Sequence, residues 1–352
     1  MHNRFTWLTV LVLGALILGA CAGTSPTLEP LPDPEPDPEA PEDQTFEGGD
    51  EAAGSLVLYS GRSDTLVAPI IEQFANATGI DVEVRYGSTS EMAATLLEEG
   101  QNSPADIFWA QDPGGLGAVA DAGLFATLPE DLLSRVDARF ASPDGDWVGI
   151  SGRSRVIVYN TEMLSADELP SDIMAFTDPA WNGRIGLPPT NGSFQTMVTG
   201  MRAAWGDDAT REWLEGIAAN NPALYENNTA TVAAVAAGEV EVGFVNHYYL
   251  YRFLAEEGED FSARNHYLND GGPASLVMVA GAGQLATSQN PENAQRFLDF
   301  LLSTVAQQYF ASQTYEYPLV DGVVTSSLLT PLADLNTPAT PRGELDHLPG
   351  TG

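Results

Sequence analysis

The sequence predicts an α/β protein with a mostly parallel sheet divided between two lobes. From Ser55 onward, short apolar runs alternate with segments whose apolar residues recur at helical spacing. One of the runs, ADIFWA, is continuously apolar, as expected of a buried strand. A chain of 352 residues with 43% hydrophobic content can bury a large core, and two lobes are expected at this length.

The first twenty residues are predicted to be a secretory signal rather than part of the fold. Arg4 precedes an apolar run from Trp7 to Ala20, which is short for a membrane span and fits the h-region of a signal. The run leads into LGAC at 18–21, which resembles the bacterial lipobox and implies a lipidated Cys21; the alternative is a plain signal peptide. Because Cys21 is the only cysteine, internal disulfides and thiolate clusters are excluded.

Residues 21–54 are predicted to be a linker. Proline alternates with aspartate and glutamate in PLPDPEPDPEAPED, which gives a stiff, self-repelling chain that cannot bury a core. This segment would act as a stalk between the anchor and the folded part.

The elements of the folded part can be assigned in order. The first strand is predicted at Leu56 to Ser60, and the helix after it ends at Gly79. This helix is indicated by apolar residues at helical spacing, namely Leu66, Val67, Ile70, Ile71 and Phe74. An alternating strand, IDVEVRYG, a helix capped near Ser88, SEMAATLLEEG, and the strand ADIFWA follow.

The alternation resumes after residue 147 with WVGISGRSRVIVYN, a long segment predicted to cross between the lobes. Helices are predicted around Met174, Met197 and Trp213, then at TATVAAVAAGE and from Tyr248, with the strand VEVGFVN between the last two. The strand ASLVMVAGAG and a helix with Asn290 as cap and Pro291 in its first turn complete the pattern. We assign 55–147 and 277–316 to lobe I, and 148–276 and 317–352 to lobe II with a C-terminal tail.

The charge of the chain excludes one class of partner. The formal net charge is −35, and all 14 basic residues are arginine. Nothing here could displace counterions from a phosphate backbone, so we expect no nucleic acid. A cationic or small partner is favoured, and any arginine in a cleft would be one of few local positive charges.

Four stretches lie where an open α/β sheet binds its ligands, beyond the carboxyl ends of strands and at helix N-termini. They are YSGRSDT, WAQDPGG, PPTNGSF and VNHYY. Two lobes would bring them together across a cleft.

Tyr248 and Tyr249 are the candidate metal ligands. In the first turn of a helix, with Asn246 near the cap, they lie about 100° apart and can both reach one spot. The helix dipole and a bound cation both favour phenolate over phenol. A phenolate pair suits a hard, highly charged ion such as Fe(III). The alternative is an aromatic cluster in the core, since most aromatic runs are packing.

A small anion site is indicated at TNGSF. Asn191, Gly192 and Ser193 stand where a helix begins, and exposed N–H groups with a hydroxyl can hold phosphate or carbonate. Asn228, in YENNTAT, occupies a similar cap position. Both stretches could equally be ordinary helix caps.

From Leu56 to about Val320 the chain resembles bacterial ferric-iron-binding proteins, the extracytoplasmic solute-binding components of iron ABC importers. The resemblance is carried by YSGR, TGIDVEVRYGSTSEMAATLLEEG, PADIFWAQD, ISGRSRVIVYN, WNGRIGLPPTNGSF, VNHYYLYR, AQRFLDFLLS and EYPLV. It implies the type II periplasmic-binding-protein fold, two lobes joined by crossing strands, with Tyr248 and Tyr249 ligating Fe(III). It further implies a synergistic anion (phosphate, carbonate or citrate) held by five residues, Asn191, Gly192, Ser193, Asn228 and Asn246.

The chain departs from the family pattern at two ligands. Where well-known members carry a histidine and a glutamate, this sequence has Ser63 and Gln111. Anion oxygens, water, Asp112 or a chelator would then complete the shell, and Arg62 could pair with carbonate or citrate. We expect His247 to be structural rather than a ligand. Arg153 and Arg155 could each orient the site or pair with carboxylates.

The resulting hypothesis is a monomeric, lipid-anchored binding protein in the periplasm or at the cell surface. It would deliver ferric iron and an anion to a membrane permease and its ATPase, without catalysing a reaction. An alternative cargo for the same cleft is an oxyanion or small organic acid. A hydrolase is disfavoured because the folded part has only two histidines and neither stands in a recognisable nucleophile–base arrangement. A purely structural role at the cell surface is a further alternative.

Overall fold

The structure is a computed structural model that describes residues 54–268, Gly272 and residues 275–335. The predicted signal peptide, the lipidation site at Cys21 and the acidic linker up to residue 53 lie outside the described residues. Within the described part, no helix is long and apolar enough to cross a bilayer.

The described strands belong to one sheet, and the six strands assigned from the sequence occur in the predicted order. The described strands are β1 Ser55–Ser60, β2 Asp81–Tyr86, β3 Ile107–Ala110, β4 Val148–Asn160, β5 Ile185–Leu187, β6 Ala223–Leu224, β7 Val242–Asn246, β8 Ala263–His266, β9 Val277–Gln284 and β10 Tyr317–Pro318. Each of the four stretches of the predicted cleft begins at or just after the end of one of these strands, namely β1, β3, β5 and β7.

Helices fill the intervals between the strands. They are α1 Asp64–Thr78, α2 Thr89–Glu99, α3 Pro113–Asp121, α4 Glu130–Leu133, α5 Gly192–Trp205, α6 Asp207–Ala219, α7 Asn228–Ala236, α8 Tyr248–Glu257, α9 Pro291–Leu301 and α10 Thr304–Tyr309. A π-helical turn, Phe310–Thr314, continues α10. The helix predicted around Met174 is a short 3-10 helix, Ile173–Thr177.

Local signals set several helix ends as predicted. Gly79 ends α1 with φ 72°, a left-handed conformation that suits glycine. Ser88 and Glu91 form a reciprocal capping box at the start of α2. Asn290 precedes α9, and Pro291 opens it, although the Asn290 side chain makes no capping hydrogen bond.

The sheet is mixed, and the expectation of a mostly parallel sheet was wrong. The strand order is β2-β1-β3-β9-β4-β7-β5-β6, with β8 and β10 also paired to β4. Strand β1 runs parallel to β2 and β3, and β5 runs parallel to β6 and β7. Strand β3 is antiparallel to β9, and β4 is antiparallel to all four of its described partners. A continuous apolar run shows that a strand is buried on both faces, but it does not show the strand's direction.

Strand β4 is the long central element. All thirteen of its residues are buried. Its first half pairs with β9 and its second half with β7 and β8, so it links the two ends of the sheet. This is the crossing segment that the sequence predicted.

Two apolar clusters form the core. The larger surrounds β1, β3, β9, α1 and α9 and extends to α7 and α8. The smaller lies around β5, β7, α5 and α6, where Phe244 packs edge-to-face on Phe176 at 5.4 Å. Burial of such a side chain stabilises the fold by about 1.5–3 kcal/mol. The exact division into lobes I and II stays a prediction.

Candidate functional site

The tyrosine pair sits where β7 passes directly into α8. Tyr248 is buried and Tyr249 is partly buried, and their rings stack with centroids 4.5 Å apart and planes inclined by 27°. The residue before the helix is His247, with no side-chain capping bond, whereas Asn246, expected near the cap, is the last residue of β7. The first turn of the helix thus brings both phenols to one place, as the sequence predicted.

The surroundings of Tyr249 favour its neutral phenol. Burial raises the pKa of Tyr249, the neighbouring Tyr248 raises it further, and the charges of Arg252 and Arg153 oppose this without cancelling it. A phenolate at this position therefore needs a bound cation to form at neutral pH.

Arg155 joins the predicted anion residues into one cluster. Its Nη1 donates to Ser193 Oγ at 3.1 Å, to Asn228 Oδ1 at 3.2 Å and to Asn246 Oδ1 at 3.0 Å. Its Nη2 donates to the carbonyl of Phe244 at 2.7 Å. We call Arg155 with Asn191, Ser193, Asn228 and Asn246 the Arg155 cluster.

The asparagines and the serine of the Arg155 cluster also bond to one another. Asn191 precedes α5, and its Oδ1 accepts from Ser193 N–H at 3.1 Å and from Asn228 Nδ2 at 3.0 Å. Asn228 is the first residue of α7 rather than its cap, which is Asn227. Gly192 is exposed, with no atom within 4 Å of where a Cβ would stand, so the backbone there is open to an approaching group. The structure therefore brings all five predicted anion residues to one region.

Two observations make the Arg155 cluster suitable for an anion. Asn246 Nδ2 is buried with no hydrogen-bond partner among the described residues, and Arg155 holds the other end of the same amide, which fixes its orientation. Burial lowers the pKa of Arg155 to about 9, although the charges of Tyr248 and Tyr249 act in the opposite direction. A bound anion would use the free donor and restore a favourable environment for the guanidinium.

Arg62, which the sequence suggested as a partner for a bound anion, instead forms an internal ion pair with Glu316. Its Nη1 and Nη2 donate to the two oxygens of Glu316 at 2.9 and 2.7 Å, and both side chains are buried. Arg153 approaches the same carboxylate, with Nε 3.9 Å from Oε1, and also donates to the carbonyl of Gln111. The terminal nitrogens of Arg62 are thus already taken in this structure.

At the positions of the expected histidine and glutamate, the chain has the hydroxyl of Ser63 and the carboxamide of Gln111. Ser63 is exposed, precedes α1 and bonds to Asp64 and Thr65. Gln111 is held by its backbone, which donates to Thr89 Oγ1 at 2.9 Å. Asp112 caps α3 by accepting from Gly115 N–H, and burial raises its pKa, with Arg153 opposing the rise. Among the described residues, no hydrogen bond joins any of these three to the tyrosine pair.

His247 is structural, as expected from the sequence. Its Nδ1 accepts from Ser154 N–H at 3.1 Å, and its Nε2 lies 2.8 Å from the carbonyl of Tyr315. The ring stacks on Tyr317 at 4.7 Å. Burial lowers the pKa of His247 to about 4, so the ring is neutral at pH 7 and both of its nitrogens are engaged.

The described part of the chain holds no group of three or more His, Cys, Asp or Glu residues that could bind a metal. The two tyrosines are therefore not accompanied by a ready-made cluster of these residue types in the described structure. Arginines surround the pair instead. Arg252 lies over both rings, with its Cζ 5.5 Å from each centroid.

Arg155 and Arg252 are the site residues that sequence reasoning did not assign. Arg153 and Arg155 stand two apart on a strand, a spacing that puts both side chains on one face. Arg252 follows Tyr248 by four residues and Tyr249 by three, so it lies on the same helix face. These spacings were visible in the sequence, but the partners come from distant segments.

The chain matches known proteins over most of its length. A family model described as bacterial extracellular solute-binding protein matches residues 69–336. The major ferric iron-binding protein of Neisseria meningitidis is 32% identical over 302 residues, covering 84% of this chain and 91% of the relative. The Fe(3+)-binding periplasmic protein of Serratia marcescens is 32% identical over 303 residues, covering 85% and 89%.

Two solved structures extend the likeness to the fold. Iron-bound HitA from Pseudomonas aeruginosa is 36% identical with a TM-score of 0.77, covering 83% of this chain and 94% of that one. A Trichodesmium protein (IdiA, FutA), in complex with iron and citrate ligands, is 29% identical with a TM-score of 0.73, covering 83% and 95%.

The chain therefore belongs to the bacterial extracellular solute-binding proteins, and its fold is the periplasmic-binding-protein fold. Within that class, the resemblance to ferric-iron-binding proteins is confirmed by relatives that carry this name. These relatives bind and transport solutes, which agrees with the prediction that the protein is not an enzyme.

Proposed function

We propose that this protein captures ferric iron together with an anion outside the cytoplasmic membrane. The observation that carries the proposal is the stacked pair Tyr248 and Tyr249 next to the Arg155 cluster. The pair offers two oxygen ligands that become phenolates on a cation, and the cluster offers donors for an anion. Relatives named as ferric-iron-binding and periplasmic support the same cargo and location.

The charges of the two parts complement each other. Two phenolates leave Fe(III) with one positive charge, and a small anion can neutralise it while filling further coordination positions. Asn246 Nδ2, the open backbone at Gly192 and the guanidinium of Arg155 would hold that anion. Phosphate, carbonate and a carboxylate of citrate are all oxygen donors that fit these groups.

The proposed function also includes anchoring at the membrane and delivery of the iron to a permease. A lipidated Cys21 would keep the protein at the membrane, and the acidic linker would let the folded part reach a permease of an ABC importer and its ATPase. The protein would act as a monomer. Ligand contacts from both lobes would favour closure about the crossing strand β4.

The test is optical. Apo protein titrated with ferric citrate, or with Fe(III) and phosphate, is expected to become coloured through charge transfer from tyrosinate to iron. Tyr248→Phe or Tyr249→Phe is expected to abolish or shift the band. Tyr86→Phe is the matched control, because Tyr86 is 40% exposed at the end of β2.

A colourless wild-type protein, or a band equally strong in all three variants, would overturn the iron assignment. The second candidate, an oxyanion or organic acid without metal, is favoured by the free donor in the Arg155 cluster. It predicts that phosphate or citrate alone raises the melting temperature of iron-free protein, and that Tyr249→Phe leaves this rise unchanged.

A further inference from the structure

A cavity of about 340 Å³ is lined by Arg252, whose guanidinium also lies over the rings of Tyr248 and Tyr249. Neither tyrosine and no residue of the Arg155 cluster lines it. Its walls come from three parts of the chain: the start of α1, the outer face of α8 and the turn that follows α10. The residues that matter here are Thr65, Arg252, Glu256, Tyr309, Gln313 and Tyr315. Its volume falls at the lower end of the range for small-molecule sites, roughly 300–1,000 Å³.

The cavity walls are held in place without a ligand. Tyr309 OH donates to the carbonyl of Leu66 at 2.8 Å, which ties α10 to α1. Phe310–Thr314 forms a π-helical turn, and Tyr315 after it has φ 56°, which is unusual for a residue other than glycine. Such irregular turns are frequent at functional sites. The backbone around the cavity is therefore held by contacts within the chain, whereas the side chains of Thr65, Glu256 and Gln313 on its walls are exposed.

The positive charge in the cavity is Arg252. Among the described residues, its guanidinium makes no hydrogen bond or ion pair, and its contacts are the two tyrosine rings at 5.5 Å each. The three other arginines near the pair, Arg62, Arg153 and Arg155, all bond to protein groups. Glu256 shares the cavity wall one turn later on α8, but it is exposed and forms no ion pair with Arg252 in the described structure.

Other polar groups of the cavity are mostly committed elsewhere. Thr65 Oγ1 lies 2.9 Å from Ser63 Oγ, and the carbonyl of Tyr315 faces His247 Nε2. Gln313 has only a long contact of 3.4 Å, to Ser312 Oγ. The donors left for a ligand are the guanidinium fork of Arg252 and the amide of Gln313, a pair that matches a carboxylate.

We propose that this cavity holds one carboxylate arm of a small polycarboxylate whose other oxygens ligate the iron on the tyrosine pair. The cargo is then an iron–polycarboxylate chelate, taken up whole, rather than bare iron with a small inorganic anion. The inference rests on the proposed function and specifies its substrate class. It accounts for Ser63 and Gln111, which stand in place of the histidine and the glutamate of the family pattern, because oxygens of the chelator would fill both coordination positions.

The charges of the two arginines match the charge of an iron–polycarboxylate chelate bound to the tyrosine pair. Fe(III) on two phenolates keeps one positive charge, and a tricarboxylate would make the assembly negative. Arg252 on one side and Arg155 on the other would balance it, and a planar guanidinium pairs with a carboxylate through two parallel hydrogen bonds. A small inorganic anion held in the Arg155 cluster would leave Arg252 without a partner.

The experiment compares two iron sources on the full folded protein. Charge-transfer titrations give the affinity for ferric citrate and for Fe(II) oxidised by air in the presence of phosphate. Arg252→Gln is expected to weaken ferric citrate about tenfold more than iron with phosphate, because a bond to a charged group is lost. Arg252→Lys should recover part of that difference, and Glu256→Gln should leave ferric citrate binding equal or tighter.

Arg211→Gln is the matched control, because it removes the same charge from an exposed site on α6. Arg211 pairs there with the fully exposed Asp208, its only ion-pair partner among the described residues. The control should change neither affinity, and melting curves check that each variant is folded. If Arg252→Gln weakens both iron sources equally, or neither, the chelate proposal fails while iron binding stands. If the wild type forms no band with either source, both proposals fail.

Discussion

Asn246 contacts two residues of the Arg155 cluster and also has a side-chain donor left for a ligand. Its Oδ1 accepts from Arg155, and its backbone N–H donates to Asn228 Oδ1 at 3.3 Å. Its Nδ2 is a buried donor that has no hydrogen-bond partner within the described part of the chain. An unsatisfied buried donor costs about 1–3 kcal/mol, so a ligand that accepts from it regains that free energy. Replacement of the Asn246 amide nitrogen, Nδ2, therefore tests whether this atom binds the anion.

Asn246→Asp separates stability from binding. The carboxylate still accepts from Arg155, so the melting temperature of the iron-free protein should stay level or rise. Binding of iron with phosphate should weaken about tenfold or more, because the new charge faces the anion. Charge-transfer titration and thermal melting check the two effects, and an unchanged affinity would show that Asn246 does not meet the anion.

At the scale of elements, helix starts place the residues proposed to bind iron and the anion. Helix α5 begins after Asn191, α7 after Asn227 and α8 after His247, each directly beyond a short strand or loop. Asparagine caps and the switch from strand to helical periodicity are local signals, so the sequence predicts these starts. The direction of the strands that carry them is not a local property, which is why the mixed sheet was missed.

Two asparagine caps provide a matched pair of variants. Both cap a helix start, accepting from Ser193 N–H in the case of Asn191 and from Ala230 N–H at 2.9 Å in the case of Asn227. Replacement of either by alanine should lower the free energy of unfolding by about 1 kcal/mol in urea denaturation. Only Asn191→Ala should also weaken anion-dependent iron binding, because only Asn191 belongs to the Arg155 cluster. Equal effects on binding would remove Asn191 from the site.

At the scale of the whole molecule, one carboxylate joins distant segments. Glu316 precedes β10, Arg62 follows β1, and Arg153 lies on β4; Arg62 and Glu316 are 254 residues apart in the sequence. No spacing rule connects residues so far apart, so the sequence does not reveal that Glu316 is the partner of Arg62. For this reason the sequence suggested a bound anion as the partner of Arg62. Tyr248 and Tyr249 could be proposed as ligands from the sequence because they are adjacent, and their role as ligands stays a prediction.

Glu316→Gln should destabilise the protein strongly. It would leave Arg62 buried without a compensating charge, and loss of one partner from such a pair costs about 3–5 kcal/mol. Urea denaturation at pH 7 measures the loss. Asp207→Asn is the control, because it removes one acid from an exposed ion pair with Arg202, and little change is expected. A small effect of Glu316→Gln would mean that the buried pair adds no net stability.

The same carboxylate predicts a dependence on pH. Burial would raise the pKa of Glu316, but the charge and hydrogen bonds of Arg62, with Arg153 and Thr314, bring it below its ordinary value. A depressed carboxylate pKa contributes stability above the ordinary value of 4.5, and that stability is lost as pH falls through the lower value in the folded protein. Wild-type unfolding free energy should therefore drop more steeply below pH 4.5 than that of Glu316→Gln; parallel curves would contradict this.

Strand β4 limits how this chain can vary in length. Every one of its thirteen residues is buried, and Arg153 and Arg155 lie on the same face of it. Insertion or deletion of one residue before Arg153 would turn both guanidinium groups to the opposite face and break the registers with β9 and β7 together. Natural relatives that keep the Arg155 cluster should therefore place their insertions and deletions in the connecting loops and leave the length of this strand unchanged.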